Sequence, residues 1–160
     1  MKKAFVFDFD DTLAFTDAHI VVHGRDCEWH KLTPGEFNRY ELQDGEWFDF
    51  SEFNNPDYIL NGKPTKLVQL ACEVYCEGHS LFILTARKDS IADAIQEFLS
   101  QFGIKATAVH CVGDHGSDIA RSKRTVLLTI MESYDKIYFY DDDESNIEAA
   151  QEIGVKSYKV

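Results

Sequence analysis

Positive charge is in short supply in this chain: 16 Lys and Arg residues face 28 Asp and Glu, a net charge of -12 at pH 7. Binding along an extended nucleic acid is driven by neutralising phosphates, so this balance argues against a surface that tracks such a backbone. It favours a small phosphorylated substrate, and disfavours without excluding one nucleic-acid end held at a metal-neutralised spot. Long apolar runs are missing too. None approaches the length that spans a bilayer, and the apolar start of the chain meets Asp8 before it reaches the length of an export signal. The expectation is a soluble, cytoplasmic protein without membrane contact. Cysteine is limited to Cys27, Cys72, Cys76 and Cys111. Cys72 and Cys76 lie one helical turn apart and read as small packing residues, with no disulfide framework. Cys27 with His23 and His30 matches no standard zinc spacing. With no repeat or low-complexity segment and a hydrophobic fraction of 44%, the 160 residues suit one packed α/β domain with a modest insertion.

Four short, nearly continuous apolar runs read as parallel strands buried on both faces: Lys3 to Asp8, Leu81 to Thr85, Thr107 to Val112 and Ile137 to Tyr140. Val155 to Val160 supplies a final edge strand. Between them, helical periodicity covers Thr65 to Glu77, Asp89 to Phe102, Thr125 to Ser133 and Glu144 to Ile153. This alternation predicts a three-layer, Rossmann-like parallel sheet with helices on both faces, and ligands at the carboxyl ends of its strands. The segment from about 14 to 63 breaks the pattern. A hairpin over His19 to Lys31 and a capping box at Thr33-Pro34-Gly35-Glu36, opening a helix to about Leu42, suggest a small cap or flap. Phe37, Tyr40, Trp47, Phe48 and Phe53 are expected to pack this cap on the catalytic layers, rather than to form a base-stacking platform. Arg25, Arg39 and Arg87 are the cations expected at its rim.

The strand ends carry Asp8-Phe9-Asp10-Asp11-Thr12, Thr85-Ala86-Arg87, Gly113-Asp114 with Lys123 beyond it, and Asp141-Asp142-Asp143. At least four carboxylates (Asp8, Asp10, Asp141 and Asp142) therefore converge. Two unit charges ~4 Å apart repel by about 4 kcal/mol at an effective dielectric near 20, so the cluster calls for a cation or raised pKa values. Ligation by oxygen alone suits Mg²⁺. A phosphate ester at such a site finds a hydroxyl on Thr85, backbone N–H groups around Ala86, and positive charge on Lys123 or Arg87. Asp8 is placed to attack phosphorus, and Asp10 to protonate the leaving oxygen and then deprotonate water.

These motifs resemble, in order, those of the haloacid dehalogenase superfamily: FVFDFDDTL the first, FILTAR the second, IYFYDDDESNIEAA the fourth. The resemblance implies that Asp8 is nucleophile and metal ligand, and that Asp10 is the acid/base and ligates metal through its carbonyl. It implies that Thr85 binds the phosphoryl group and that Asp142 ligates metal directly with Asp141 in support. Asn146 sets the register that leaves Asp143 outside the pair. The third motif is a lone cation, here Lys123 just ahead of a helix, with Arg124 as the alternative. Gly113 to Asp118 imitates another form of the fourth motif one strand too early and reads as a loop. Phosphatases resembling this chain in length include polynucleotide 3'-phosphatases and small nucleotidases. An acid at position 10 disfavours a dehalogenase. A receiver-like signalling domain or a non-catalytic phosphate-binding protein is the competing class. The former is disfavoured because here the nucleophile comes first and the acidic pair last.

Overall fold

In a computed structural model, which describes residues 1–37, 39–116 and 118–160, the first apolar run forms strand β1 (Lys3–Phe7). The interruption follows: β2 (Ala14–Phe15), β3 (Ile20–His23), β4 (Trp29–Leu32), helix α1 (Pro34–Phe37), β5 (Trp47–Asp49), α2 (Pro56–Leu60) and β6 (Lys63–Pro64). Alternation then resumes with α3 (Leu67–Cys76), β7 (Ser80–Thr85), α4 (Ala92–Ser100), β8 (Ala108–Cys111) and α5 (Ile119–Met131). It ends with β9 (Lys136–Asp141), α6 (Glu144–Glu152) and β10 (Lys156–Lys159).

The main sheet runs β10-β9-β1-β7-β8, with every pairing parallel. Successive residues of β1 serve opposite layers, which is why its sequence is apolar throughout. Phe7 joins Leu81 and Ile83 under α3 and α4, through Ala71, Val74, Ile95 and Phe98. Ala4 and Val6 join Phe82 and Leu84 under α5 and α6, through Leu127, Ile130, Ile147 and Ala150. β1 lies between β7 and β9, so the chain leaves it in opposite directions and a crevice opens at its carboxyl end. Phe7 pairs with both Ile83 and Tyr140, so Asp8, Leu84 and Asp141 emerge nearly level. No described helix is long and apolar enough to cross a membrane.

Two helix boundaries differ from those expected. The helix expected over 125–133 begins at Ile119, because the Asp118 side chain accepts a hydrogen bond from Arg121 N and starts it a turn and a half earlier. The run 89–102 begins as a 3₁₀ turn at Asp89–Ile91 before α4 proper. Gly113–Gly116 is a loop, Asp118 is the cap of α5, and Ser117 lies outside the described residues.

The interruption is joined to the main fold by a two-stranded neck, Ala14 opposite Pro64 and Phe15 opposite Lys63. Beyond it, β4-β3-β5 form a small antiparallel sheet, whose third strand the hairpin reading missed. The helix expected to reach Leu42 stops at Phe37. Its capping box is intact, with Glu36 N donating to Thr33 Oγ1 and Thr33 N to Glu36 Oε1. Beyond it, Tyr40 and Gln43 turn to Glu46 instead, the hydroxyl and the backbone N–H both donating to its carboxylate. The packing expectation is also corrected. Phe37, Tyr40, Phe48 and Phe53 cluster with Ile20, Val22 and Leu32 in a core of the insertion's own, while Trp47 stays 54% exposed. Attachment to the main core comes instead from Ile59 of α2, fully buried within the cluster that includes α4. All four cysteines are free. Cys76 is exposed rather than packed, and the His23 ring engages Asp49 at 3.1 Å.

Candidate active site

Asp8 follows directly on β1, and its N–H still donates to Tyr140 O in ladder fashion, which fixes the side chain at the sheet's edge. Asp11 then takes a positive φ of 60°, a conformation that Asp tolerates better than most side chains. This tight turn, closed by Leu13 N and Ala14 N donating to Phe9 O, lets Asp8 and Thr12 share one site. The Thr12 hydroxyl lies 3.1 Å from Asp8 Oδ2 and 3.4 Å from Asp142 Oδ1, bridging the first acidic motif to the last.

Lys123 is the positive centre. Its side chain is 2% exposed, and Nζ donates to Asp8 Oδ1 at 2.9 Å and to Asp141 Oδ2 at 2.7 Å. It sits in the second turn of α5 rather than ahead of a helix, and the helix aims it inward. Arg124, the alternative cation, points outward and pairs with Glu152.

Asp141 is fully buried and fully engaged. Asn146 Nδ2 donates to the same Oδ2 at 3.1 Å, and Asp143 N donates to Oδ1 at 2.9 Å. Asp143 itself caps α6, accepting from Ser145 N and Asn146 N. Asp142 is therefore the acid of the pair with oxygens left to offer.

Carboxylate oxygens of Asp8, Asp141 and Asp142 lie within 4.8 Å of one another. Burial drives the pKa of Asp8 well upward, and the charges of Asp141 and Asp142 push the same way, outweighing the opposing pull of Lys123. Asp142 is raised by burial and by Asp141. Lys123 is held above its ordinary value: burial alone would lower it, but Asp8 and Asp141 keep it charged. One ammonium against two buried carboxylates and the half-buried Asp142 is an incomplete balance. A hard divalent cation held by oxygen donors, with Asp8 and Asp142 as the available ones, fits this deficit.

Asp10 lies apart from that cluster, and the reason is Arg87. Its guanidinium grips Asp10 at both oxygens, Nε to Oδ2 at 2.8 Å and Nη2 to Oδ1 at 2.7 Å. Nη1 donates to the carbonyl of Phe53 at 2.6 Å, and the Phe53 ring lies 4.3 Å from the guanidinium carbon. Thr16 Oγ1 accepts a longer contact of 3.4 Å from Nη2. With a side chain 1% exposed, Arg87 is a buried tie between Asp10 and the insertion rather than a rim cation. Arg25 and Arg39 are exposed, Arg25 pairing with Asp44. Thr85 is fully buried, with Oγ1 accepting from Arg87 N at 3.2 Å, and Ala86 is exposed between them.

Gly113, read from the sequence only as part of a loop, packs its bare backbone against the strand end that carries Thr85. Its N–H donates to Arg87 O, and a Cβ there would fall 2.6 Å from Ala86 O and 2.8 Å from Arg87 C. The strand-end loop that carries Thr85 to Arg87 thus rests on a bare backbone. Gly113→Ala is expected to shift that loop, lowering stability by about 1–3 kcal/mol. It should also lower turnover by about tenfold or more, as small misplacements at a reacting centre do. Unchanged turnover together with an unchanged melting temperature would show that the loop has slack.

No protein-family model matches the chain, and no match was found among curated proteins. Solved structures do match. A chain of the Pnkp1/Rnl/Hen1 complex superposes with a TM-score of 0.64 at 16% identity, over 100% of this chain but only 46% of that one. This protein thus corresponds to under half of that chain. L-2-haloacid dehalogenase from Xanthobacter autotrophicus matches with a TM-score of 0.60 at 15% identity, covering 100% of this chain and 78% of that one. D,D-heptose 1,7-bisphosphate phosphatase from B. bronchiseptica, complexed with magnesium and phosphate, gives 0.58 at 13%, covering 99% and 80%. The chain has the haloacid dehalogenase-like fold.

Proposed function

We propose that this fold carries a magnesium-dependent phosphomonoester hydrolase with Asp8 as the nucleophile. The observation that carries the reading is the cluster of buried Asp8 and Asp141 with half-buried Asp142 around Lys123 at the carboxyl end of the central strand. Such a cluster makes a poor structural core and a good receptor for a cation and a phosphoryl group. Asp8 and Asp142, with the carbonyl of Asp10, would hold Mg²⁺, and Asp141 would support it by fixing Lys123. The ion, when bound, neutralises charge on the phosphoryl oxygens and on Asp8.

An Asp8 oxygen attacks phosphorus in line. The bond to the leaving oxygen breaks, and that oxygen takes a proton from Asp10. Water then attacks the aspartyl phosphate and gives its proton to Asp10, which releases inorganic phosphate and restores Asp8. Thr85, the backbone at Ala86, and Lys123 hold the phosphoryl oxygens. Arg87 positions Asp10 and lets go of at least one of its oxygens when the acid takes up its proton. Similarity over the whole chain to part of the Pnkp1/Rnl/Hen1 RNA repair complex, and to a heptose bisphosphate phosphatase, supports a phosphate ester as substrate, on a nucleotide or a nucleic-acid end.

Hydrolysis of p-nitrophenyl phosphate is expected with Mg²⁺, falling about 100-fold or more in EDTA and returning on readdition of the ion. Equal rates with and without EDTA would sink the metal-dependent reading.

A further inference from the structure

The insertion displays a feature that the reaction above does not use. In the register of its sheet, His23 lies directly opposite Trp29 on one side and Trp47 on the other, so the three side chains share one face. The His23 and Trp47 rings stack at 4.3 Å and 17°. Trp29 is 61% exposed and Trp47 54%. Large aromatic rings left open side by side mark contact surfaces.

The charge of this face is balanced. The next row holds Lys31, Val21 and Asp49, with Lys31 paired to Glu52 and Asp49 to His23. Glu28 and Glu46 lie just outside β4 and β5 and line one pocket with Trp29, Glu46 also receiving the Tyr40 hydroxyl. With these carboxylates beside it, the row does not attract a phosphate backbone; what its rings offer is flat π-faces.

The row is also tied to the reacting groups. Arg87 fastens Asp10 to Phe53, four residues beyond the end of β5, and to Thr16, four residues before the start of β3. From Ile20, which shares a cluster with Phe53, the row lies about 10 Å along β3. From Thr16 to His23 the chain can extend at most ~25 Å. The row therefore lies within ~25 Å of the Arg87 anchor at Thr16, a reach that several linked nucleotides cover.

We propose, resting on the phosphatase reading above, that the substrate is the phosphorylated end of a single-stranded nucleic acid, whose unpaired bases stack on Trp29, His23 and Trp47. The strand is held by its bases rather than by its phosphates, which reconciles nucleic-acid binding with a net charge of -12.

The test uses oligothymidylates of two and ten nucleotides carrying a 3'- or a 5'-phosphate, with p-nitrophenyl phosphate as a substrate too short to reach the row. In the unaltered protein, KM for the ten-mer with the preferred end should lie about tenfold or more below that for the dinucleotide. Trp29→Ala/Trp47→Ala should erase that advantage with kcat and the aryl phosphate kinetics little changed, and Trp→Phe at both positions should restore part of it. Raising NaCl from about 50 to 200 mM should shift KM only a few-fold, against the ~10³ or more lost by proteins that make many phosphate contacts. Equal KM values for the two lengths, or an unaltered KM in the alanine variant, would overturn the proposal. So would a dimer that the alanine pair dissociates, since the face would then join two copies of the chain. Should none of these phosphates be hydrolysed, the phosphatase reading falls by itself. Quenching of indole fluorescence by unphosphorylated decathymidylate, absent in the alanine variant, still tests the platform, and no quenching refutes it.

Discussion

Asp8→Asn is expected to abolish turnover, by about 10⁴-fold or more, while making the metal-free protein more stable. The first effect follows from the proposed role of Asp8 as nucleophile, because an asparagine amide does not replace the carboxylate in that attack. The second follows from the electrostatics of the cluster. In the folded protein Asp8 is driven well above its ordinary pKa by burial, with Asp141 and Asp142 adding to it, while in the unfolded chain it titrates near 3.8. As pH rises through the interval between those values, the unfolded chain loses this proton while the folded protein retains it. The wild type must therefore lose stability across that interval, and asparagine, which carries no charge, escapes the loss. The gap should be small near pH 4 and largest at neutral pH, about 1–3 kcal/mol, or several degrees in Tm for a chain of this size. Mg²⁺ should narrow it by stabilising the wild type alone, because the variant lacks the charge that the ion neutralises. Thermal unfolding of both proteins in EDTA and in Mg²⁺, at pH 5 and pH 8, reads all of this. A variant less stable than the wild type at pH 8 in EDTA would mean that Lys123 outweighs the two neighbouring carboxylates.

The layers of the main sheet were legible because a strand buried on both faces has no polar residues to disguise it. KAFVF, SLFILT and KIYFYD each announce a strand, and the acids and threonine that follow mark its carboxyl end. Helix starts were harder. α5 begins at Ile119 through the side-chain cap of Asp118, six residues before the apolar periodicity becomes visible, so Lys123 seemed to lie ahead of the helix that carries it. Arg87 was unreadable for another reason. An exposed rim arginine and a buried one gripping Asp10 look identical in sequence, and the difference depends on Phe53, 34 residues away. Gly113 had a signal that was passed over: a lone glycine after a strand, whose bare backbone admits the Ala86–Arg87 carbonyls.

The insertion was the least legible part. Its third strand is three residues long, Trp-Phe-Asp, and owes its existence to pairing with Val21, Val22 and His23 rather than to any run of its own. The same pairing decides which aromatics are buried. Phe48 faces the insertion's core and Trp47, one residue earlier, faces away, although the sequence offers them as equal candidates. A row of rings drawn from three strands appears only once the register is known.

Lys123→Met is expected to be the most destabilising single change at the site, in contrast to Asp8→Asn. Methionine fills much of the same space, so the loss is chiefly that of charge. It leaves Asp8 and the fully buried Asp141 facing each other with no ammonium between them, 2.9 and 2.7 Å from where Nζ had been. Removing one partner of a buried ion pair costs about 3–5 kcal/mol, because the remaining charge keeps its desolvation penalty without compensation. For this chain that is a drop in Tm of roughly 10 °C or more. Turnover should be lost as well, and Mg²⁺ should recover part of the stability but not the activity, since the ion cannot stand where the ammonium bridged two acids. Adding Asp141→Asn to Lys123→Met should cost far less than the sum of the two single changes, which is the signature of direct coupling. Arg124→Met, one residue along on the outer face, is the control. Its exposed pair with Glu152 contributes less than about 1 kcal/mol, and its loss should leave turnover intact. Should Arg124→Met silence the enzyme while Lys123→Met remains active, the third motif has been assigned to the wrong neighbour.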